Sequence, residues 1–156
     1  MALPKIKHPV FKLKIPSTGE TIGYRPYTVK EEKIILMVNS SIEDTAFVID
    51  NIKTIISNCI LDQVEIDKLT VFDIQYIFSK LRAKSVGEEL EIAIDIDGDI
   101  YKGSIRLDTL KVKNHKTHSN KIEIDEDTGI LMRYPSFIEN AELENISDEK
   151  ELEDKA

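Results

Sequence analysis

From Phe11 to Ile15 the chain alternates apolar and basic residues, Phe11-Lys12-Leu13-Lys14-Ile15, the period of a half-buried strand. Pro16-Ser17-Thr18-Gly19-Glu20 is a turn cluster, and Thr21-Ile22-Gly23-Tyr24 returns as a second strand. Lys12 and Lys14 then face outward, where lysines also guard an exposed edge against unwanted pairing. Pro26 holds Arg25 extended, so a helix cannot begin before it. Thr28 and Glu31 have the S/T-x-x-E spacing of a capping box, each side chain satisfying an orphan backbone N–H. A first helix is therefore expected over Val29–Val38, with Ile34 to Val38 as its apolar body. Asn39-Ser40-Ser41 interrupts it. Ser41 and Asp44 are candidate caps for a second helix reaching Ile60, on which Val48, Ile52, Ile55, Ile56 and Cys59 form one stripe.

Leu61 to Lys68 reads as a connection, and Thr70 with Asp73 as the cap of a third helix. Val71, Ile74, Ile77, Phe78 and Leu81 share one face of it. Lys80, Arg82 and Lys84 lie near its C-terminal end, where cations complement the helix dipole, and Gly87 is a natural stop. Leu90, Ile92, Ile94 and Ile96 then alternate with polar or small residues into the turn signal Asp97-Gly98. Counting outward from that turn sets Ile96 opposite Asp99, Ile94 opposite Tyr101 and Leu90 opposite Ile105. Lys111 to Asn120 is a polar, basic loop. A further hairpin is expected from Lys121–Asp125 and Ile130–Tyr134 around Glu126-Asp127-Thr128-Gly129, ended by Pro135. Phe137 to Ile146 has the pattern of a short helix, and the charged segment from Ser147 is expected to fray. No internal repeat of useful length is evident. The pattern predicts an α+β fold: an N-terminal β-hairpin, three helices, two further hairpins and a short C-terminal helix. One domain over residues 1–146 and a disordered acidic tail over 147–156 are expected.

Composition agrees with a folded chain. Of 156 residues, 41% are apolar and 32% charged, values of a globular domain large enough to bury a core. Cys59, the single cysteine, sits on the apolar stripe and reads as a small core residue. With no second thiol, no intramolecular disulfide is expected, as in a reducing compartment. No signal-peptide core and no apolar run of membrane-spanning length is present, so cytosolic synthesis is expected. The net charge of −8 is polarised. Residues 1–30 hold six basic side chains against Glu20 alone, whereas residues 139–156 hold eight acidic ones against Lys150 and Lys155. Such asymmetry can steer a partner, although two solvated ends are the plainer reading.

Candidate chemistry is thin. Asp95-Ile96-Asp97-Gly98-Asp99 has the composition of a calcium loop, but counted from Asp95 the glycine falls fourth and position twelve is Arg106. Strand alternation explains the same residues better. His115 and His118 share the polar loop with no cysteine beside them, and His8 is distant in sequence, which falls short of a zinc set. No nucleophile elbow, phosphate-binding loop or dinucleotide fingerprint occurs. No catalytic group, metal site or cofactor is expected. Nucleic-acid binding would use the basic N-terminal segment, yet no basic helix or stacking pattern supports it in an acidic chain.

Three stretches carry a resemblance. Ile15-Pro16-Ser17-Thr18-Gly19-Glu20 with Tyr24-Arg25-Pro26-Tyr27 and Val29 to Met37 is the first. Phe72 to Phe78 with Leu81-Arg82-Ala83-Lys84-Ser85-Val86-Gly87-Glu88 is the second, and Met132-Arg133-Tyr134-Pro135-Ser136-Phe137 the third. Together they resemble the T4-type bacteriophage baseplate hub subunit and hub assembly family, up to about Phe137. The resemblance implies a non-enzymatic phage tail protein, a hub subunit or assembly factor that contacts other hub or tail proteins. It implies a place in the host cytoplasm during assembly and in the virion tail baseplate. A transient tail-assembly chaperone is the alternative within that biology, and a small nucleic-acid-binding protein the alternative from another class. The expected docking strip is Tyr24, Arg25 and Tyr27, with Arg82 and Lys84 behind it. Ordinary packing of the hairpin against the first helix is the competing reading of the two tyrosines.

Overall fold

The computed structural model describes residues 8–40, 45–96, 98–113, 119–125 and 127–143. Its N-terminal alternation forms the expected hairpin, β1 (Phe11–Lys14) paired antiparallel with β2 (Thr21–Tyr24). Lys12 and Lys14 face solvent while Leu13, Ile15, Ile22 and Tyr24 are buried. Three helices follow: α1 (Val29–Ser40), α2 (Thr45–Cys59) and α3 (Val71–Ser85). Helix α1 runs two residues past the expected end at Val38. Ser40 there turns its hydroxyl back onto the Met37 carbonyl (2.8 Å), a local bond compatible with helix. The candidate caps Ser41 and Asp44 lie outside the described residues. Helix α2 stops at Cys59 rather than Ile60, because Ile60 is recruited by the sheet. Ile60 bridges Tyr24, the Arg25 N–H donates to the Cys59 carbonyl and the Leu61 N–H to the Gly23 carbonyl (both 2.9 Å).

The core lies where the hairpin meets the helices. Leu13, Ile15, Ile22 and Tyr24 from the hairpin pack with Ile55, Ile56, Cys59 and Ile60, and with Ile74, Ile77 and Leu81 of α3. The expected α3 cap forms in full. Thr70 Oγ1 accepts the Asp73 N–H, and the Asp73 carboxylate accepts the Thr70 N–H (3.0 Å) and hydroxyl (2.7 Å). Asp73 also accepts the Ser17 N–H (2.9 Å), which pins the β1–β2 turn to the start of α3.

Strands β3 (Glu89–Ile96) and β4 (Asp99–Arg106) pair in the expected register, with Ile96 opposite Asp99, Ile94 opposite Tyr101 and Leu90 opposite Ile105. Gly98 takes φ +93° in the turn, a conformation a side chain would strain; Asp97 is outside the described residues. The hairpin pairs with no other described strand. Its root is fastened by Lys80 of α3, whose ammonium donates to the carbonyls of Leu107, Asp108 and Leu110 in the turn after β4 (2.7–3.1 Å).

Strands β5 (Lys121–Glu123) and β6 (Gly129–Leu131) form the last hairpin, shorter than the expected 121–125 and 130–134. The Asp125 carboxylate accepts the N–H groups of Asp127 and Thr128 (3.0 and 2.7 Å), which curls the chain early. Residues 137–143 are helical (α4), within the helix expected over 137–146, whose last three residues are outside the described ones. Residues 144–156, including the expected tail, lie outside the described ones. The entry to α4 docks on the entry to α3: Ser136 bridges Thr70, the Phe137 N–H donates to the Leu69 carbonyl (2.8 Å), and Phe72 meets Tyr134 edge-on at 5.1 Å. The architecture is α+β, with helices packed on one small sheet and two hairpins standing off them.

This layout predicts unequal tolerance of similar truncations. Ile77→Ala, at a fully buried position, should cost about 2–5 kcal/mol, while Ile100→Ala, at 66% exposure, should stay within about 0.5 kcal/mol of the parent. Urea unfolding of both variants checks the contrast. Equal losses would mean that the outer hairpin is part of the cooperative core.

Candidate partner-binding surface

The five residues expected to form a docking strip do come together, along the seam between the hairpin and the C-terminal half of α3. Tyr24 is 3% exposed and its ring lies 5.7 Å from that of Phe11. Lys84 also meets Phe11, its ammonium 5.3 Å from the ring centre and 2.5 Å from Glu88. The Tyr27 N–H donates to Ser85 Oγ (2.9 Å), whose own hydroxyl donates to the Leu81 carbonyl (2.6 Å). Burial raises the Tyr24 and Tyr27 hydroxyl pKa values, with the Lys84 charge opposing at Tyr24 and the Arg82 charge at Tyr27. Arg82 Nη1 is buried and has no hydrogen-bond partner among the described residues. Of the two readings of Tyr24, burial places its ring on the packing side. Arg25, Tyr27, Arg82 and Lys84 are half-buried around it.

Arg25 is committed to an ion pair. Its guanidinium donates to both carboxylate oxygens of Glu31 (3.0 and 3.4 Å) and to the Pro26 carbonyl (2.9 Å). The same carboxylate accepts the Thr28 N–H (2.8 Å) and hydroxyl (2.6 Å), the expected half of the capping box, while the Lys30 N–H reaches Thr28 Oγ1 at 3.4 Å. Burial opposes ionisation of Glu31, but the hydrogen bonds from Arg25 and Thr28 outweigh it and bring its pKa down to about 2. Burial pushes the Cys59 thiol up to about 11 against the opposing Arg25 charge, consistent with an inert core cysteine.

The structure corrects the reading that the chain contains no useful repeat. Arg133 donates to both oxygens of Glu139 (2.6 and 2.7 Å) and to the Tyr134 carbonyl (3.3 Å). Glu139 accepts the Ser136 N–H (2.8 Å), and the Glu139 N–H donates to Ser136 Oγ (3.2 Å). Those bonds hold the Glu139 pKa down at about 2, the one from Arg133 contributing most. Arg25-Pro26-Tyr27-Thr28-x-x-Glu31 and Arg133-Tyr134-Pro135-Ser136-x-x-Glu139 are thus one device used twice, each after a hairpin and at the start of a helix. The hairpins match in register too. Leu13 opposite Ile22 corresponds to Ile122 opposite Ile130, and Lys12 opposite Gly23 to Lys121 opposite Leu131. The bond from Ile15 N–H to the Glu20 carbonyl corresponds to that from Ile124 N–H to Thr128 (2.8 and 3.0 Å). A turn shorter by one residue, and the swapped order of Pro and Tyr, hide the match from a fixed-offset reading. The i, i+6 spacing of Arg and Glu flanking an S/T-x-x-E box is the signal that could have found it.

Other chemistry has little footing. Among the described residues no group of three or more His, Cys, Asp or Glu side chains could hold a metal ion. His115 and His118 lie outside them. The open depression between α2 and the turn at Ile66–Lys68 is crossed by the Lys53–Asp67 ion pair (2.7 Å) and brings together no catalytic set. No described helix is long and apolar enough to cross a membrane.

The family profile described as T4 bacteriophage base plate protein matches residues 8–155. Neither the comparison with curated proteins nor that with solved structures returned a match.

Two solution measurements follow from the seam. Glu31 has a folded pKa of about 2 against an ordinary 4.5, so its contribution is present above pH 4.5 and is lost as pH falls through the folded value. Stability of the parent should decline between about pH 4.5 and 2, and Glu31→Gln should be destabilised at neutral pH with a shallower decline in that window. Acid titration of the unfolding free energy checks this, a parallel decline in both proteins being the adverse result. Cys59 should resist a thiol reagent at pH 8 in the folded protein and react promptly in denaturant.

Proposed function

The chain belongs to the T4 bacteriophage base plate protein family, and from that premise we propose that it serves the central hub of the tail baseplate, as a non-enzymatic subunit or assembly factor. It works by binding other hub and tail proteins, first in the host cytoplasm and then at the tail. The observation that carries the reading is the family match, which spans the hairpins, the helices and the seam alike. The exposed apolar residues support it: Ile94, Ile96, Ile100 and Tyr101 on the β3–β4 hairpin, and Leu131 on β6, are each more than half exposed. Apolar side chains gathered on outstanding hairpins suit a chain whose work is contact. At the seam, Tyr27, Arg82 and Lys84 form the edge a partner meets, and Tyr24 and Arg25 support that edge from within.

Affinity purification of the tagged protein from phage-infected cells, with mass spectrometry of complexes and of finished particles, tests the proposal. Hub or tail proteins should co-purify. Presence in particles identifies a subunit, and absence from them an assembly factor or transient chaperone. Recovery of nucleic acid without tail proteins overturns the reading. Such binding should weaken steeply with salt, by about 10³-fold or more between 50 and 200 mM if six or more phosphates are contacted, whereas an apolar protein contact should persist.

A further inference from the structure

The two repeated units differ in one respect, which is whether the inner face of the hairpin is covered. In the N-terminal unit, Leu13 is 6% exposed, Ile15 and Ile22 1% and Tyr24 3%. Their counterparts in the C-terminal unit, Ile122, Ile124, Ile130 and Met132, are 50%, 60%, 47% and 52% exposed. The ion pair follows the same rule. The Arg25 and Glu31 side chains are 18% and 2% exposed, those of Arg133 and Glu139 72% and 43%. The C-terminal unit reproduces the shape and the polar staple of the N-terminal one, but among the described residues it has no equivalent of α2 over it.

The helices explain how the face stays open. Helix α1 packs on the core through Ile34 and Ile35, leaving Val29 and Lys33 outside. Helix α4 turns the opposite way: Phe137 and Ala141, which correspond to Val29 and Lys33, are the residues directed to the body. Anchoring by that side leaves the hairpin's apolar face turned outward. A two-stranded hairpin is marginal in water without a cover for its apolar face.

We propose that the face formed by Ile122, Ile124, Ile130 and Met132, with the Arg133–Glu139 pair at its margin, is a docking site for an amphipathic helix of another tail protein. The N-terminal unit supplies the template for the occupant. Beside α3, its face is covered by the last turns of α2, with Ile55, Ile56 and Cys59 inward and Ile60 following in the bridge to Tyr24, so the partner helix carries aliphatic or small residues at i, i+1 and i+4. This chain cannot supply that helix from its own core, because the inner faces of α2 and α3 are filled by its own N-terminal hairpin. The same occupancy disqualifies α2 of a second copy. The inference rests on the reading that the protein acts through contacts with tail proteins.

A photo-crosslinking amino acid placed at Ile122 or Ile130 of the full chain, in infected cells, tests the site, with Leu36 on the outer side of α1 as the comparison position. The expected result is a crosslink from 122 and 130 to one segment of another tail protein with the stated helical spacing. Ile122→Lys with Ile130→Glu should leave thermal unfolding of the purified protein unchanged and reduce recovery of that partner by about tenfold or more. Crosslinks to a second copy, to this chain's own helices or to a non-helical segment overturn the site. So does undiminished recovery with the double variant. If tail proteins co-purify but crosslink only from Leu36, the site fails and the functional reading stands; if none co-purifies, the functional reading fails and the site with it.

Discussion

Two buried carboxylates hold the fold in place. Glu31 and Asp73 each occupy the third position of a helix, each closes back on the threonine that begins it, and each also reaches into the N-terminal hairpin. Glu31 takes Arg25 at the exit of β2, and Asp73 takes the Ser17 N–H in the turn between the strands. The hairpin is therefore pinned at both ends to helix starts, and its apolar face has one way to lie against α2 and α3. A carboxylate without partners at such depth would be strongly unfavourable. These two are stable there because every bond they need comes from the segments they join, so forming the site and placing the hairpin are the same event.

Much of this was legible along the chain. The Thr70–Asp73 box, the Thr28–Glu31 spacing and the β3–β4 register rest on local rules, and local rules survive folding. What was not legible is what lies between distant segments. Periodicity assigns Ile94 and Ile96 to one side of a strand but cannot say whether anything covers that side. Both are more than half exposed, since no third strand joins the pair among the described residues. Lys80 read as a cation near a helix end. In the structure it binds carbonyls 27 to 30 residues away, a role with no sequence period. At the seam, sequence grouped Tyr24, Arg25, Tyr27, Arg82 and Lys84 by residue type. It could not separate a buried ring from an open one, because aromatic and basic residues suit both a packed seam and an interface.

The repeated staple shows one local device in two electrostatic settings. The Arg25 and Glu31 side chains are largely buried, which lessens screening of the pair by solvent and salt. Around Arg133 and Glu139 water reaches both groups, and an exposed pair of this kind adds little to stability by itself. Its value lies in geometry, since it fixes the angle at which the chain leaves β6 for α4.

That geometry bears on what covering the C-terminal face would require. Desolvating two charges is unfavourable unless their hydrogen bonds are already made, and the attraction between them must then offset the loss of water. Arg133 and Glu139 meet in a bidentate contact, with the Ser136 N–H on one carboxylate oxygen and the Tyr134 carbonyl on the guanidinium. A partner settling over them finds few charged hydrogen-bonding positions left open, and the change is chiefly burial of Ile122, Ile130 and Met132. The N-terminal unit holds the same constellation in largely buried form, Arg25 and Glu31 being kept there by the same kinds of bond. A single chain thus contains both the closed form of the arrangement and the open form from which a contact can be made.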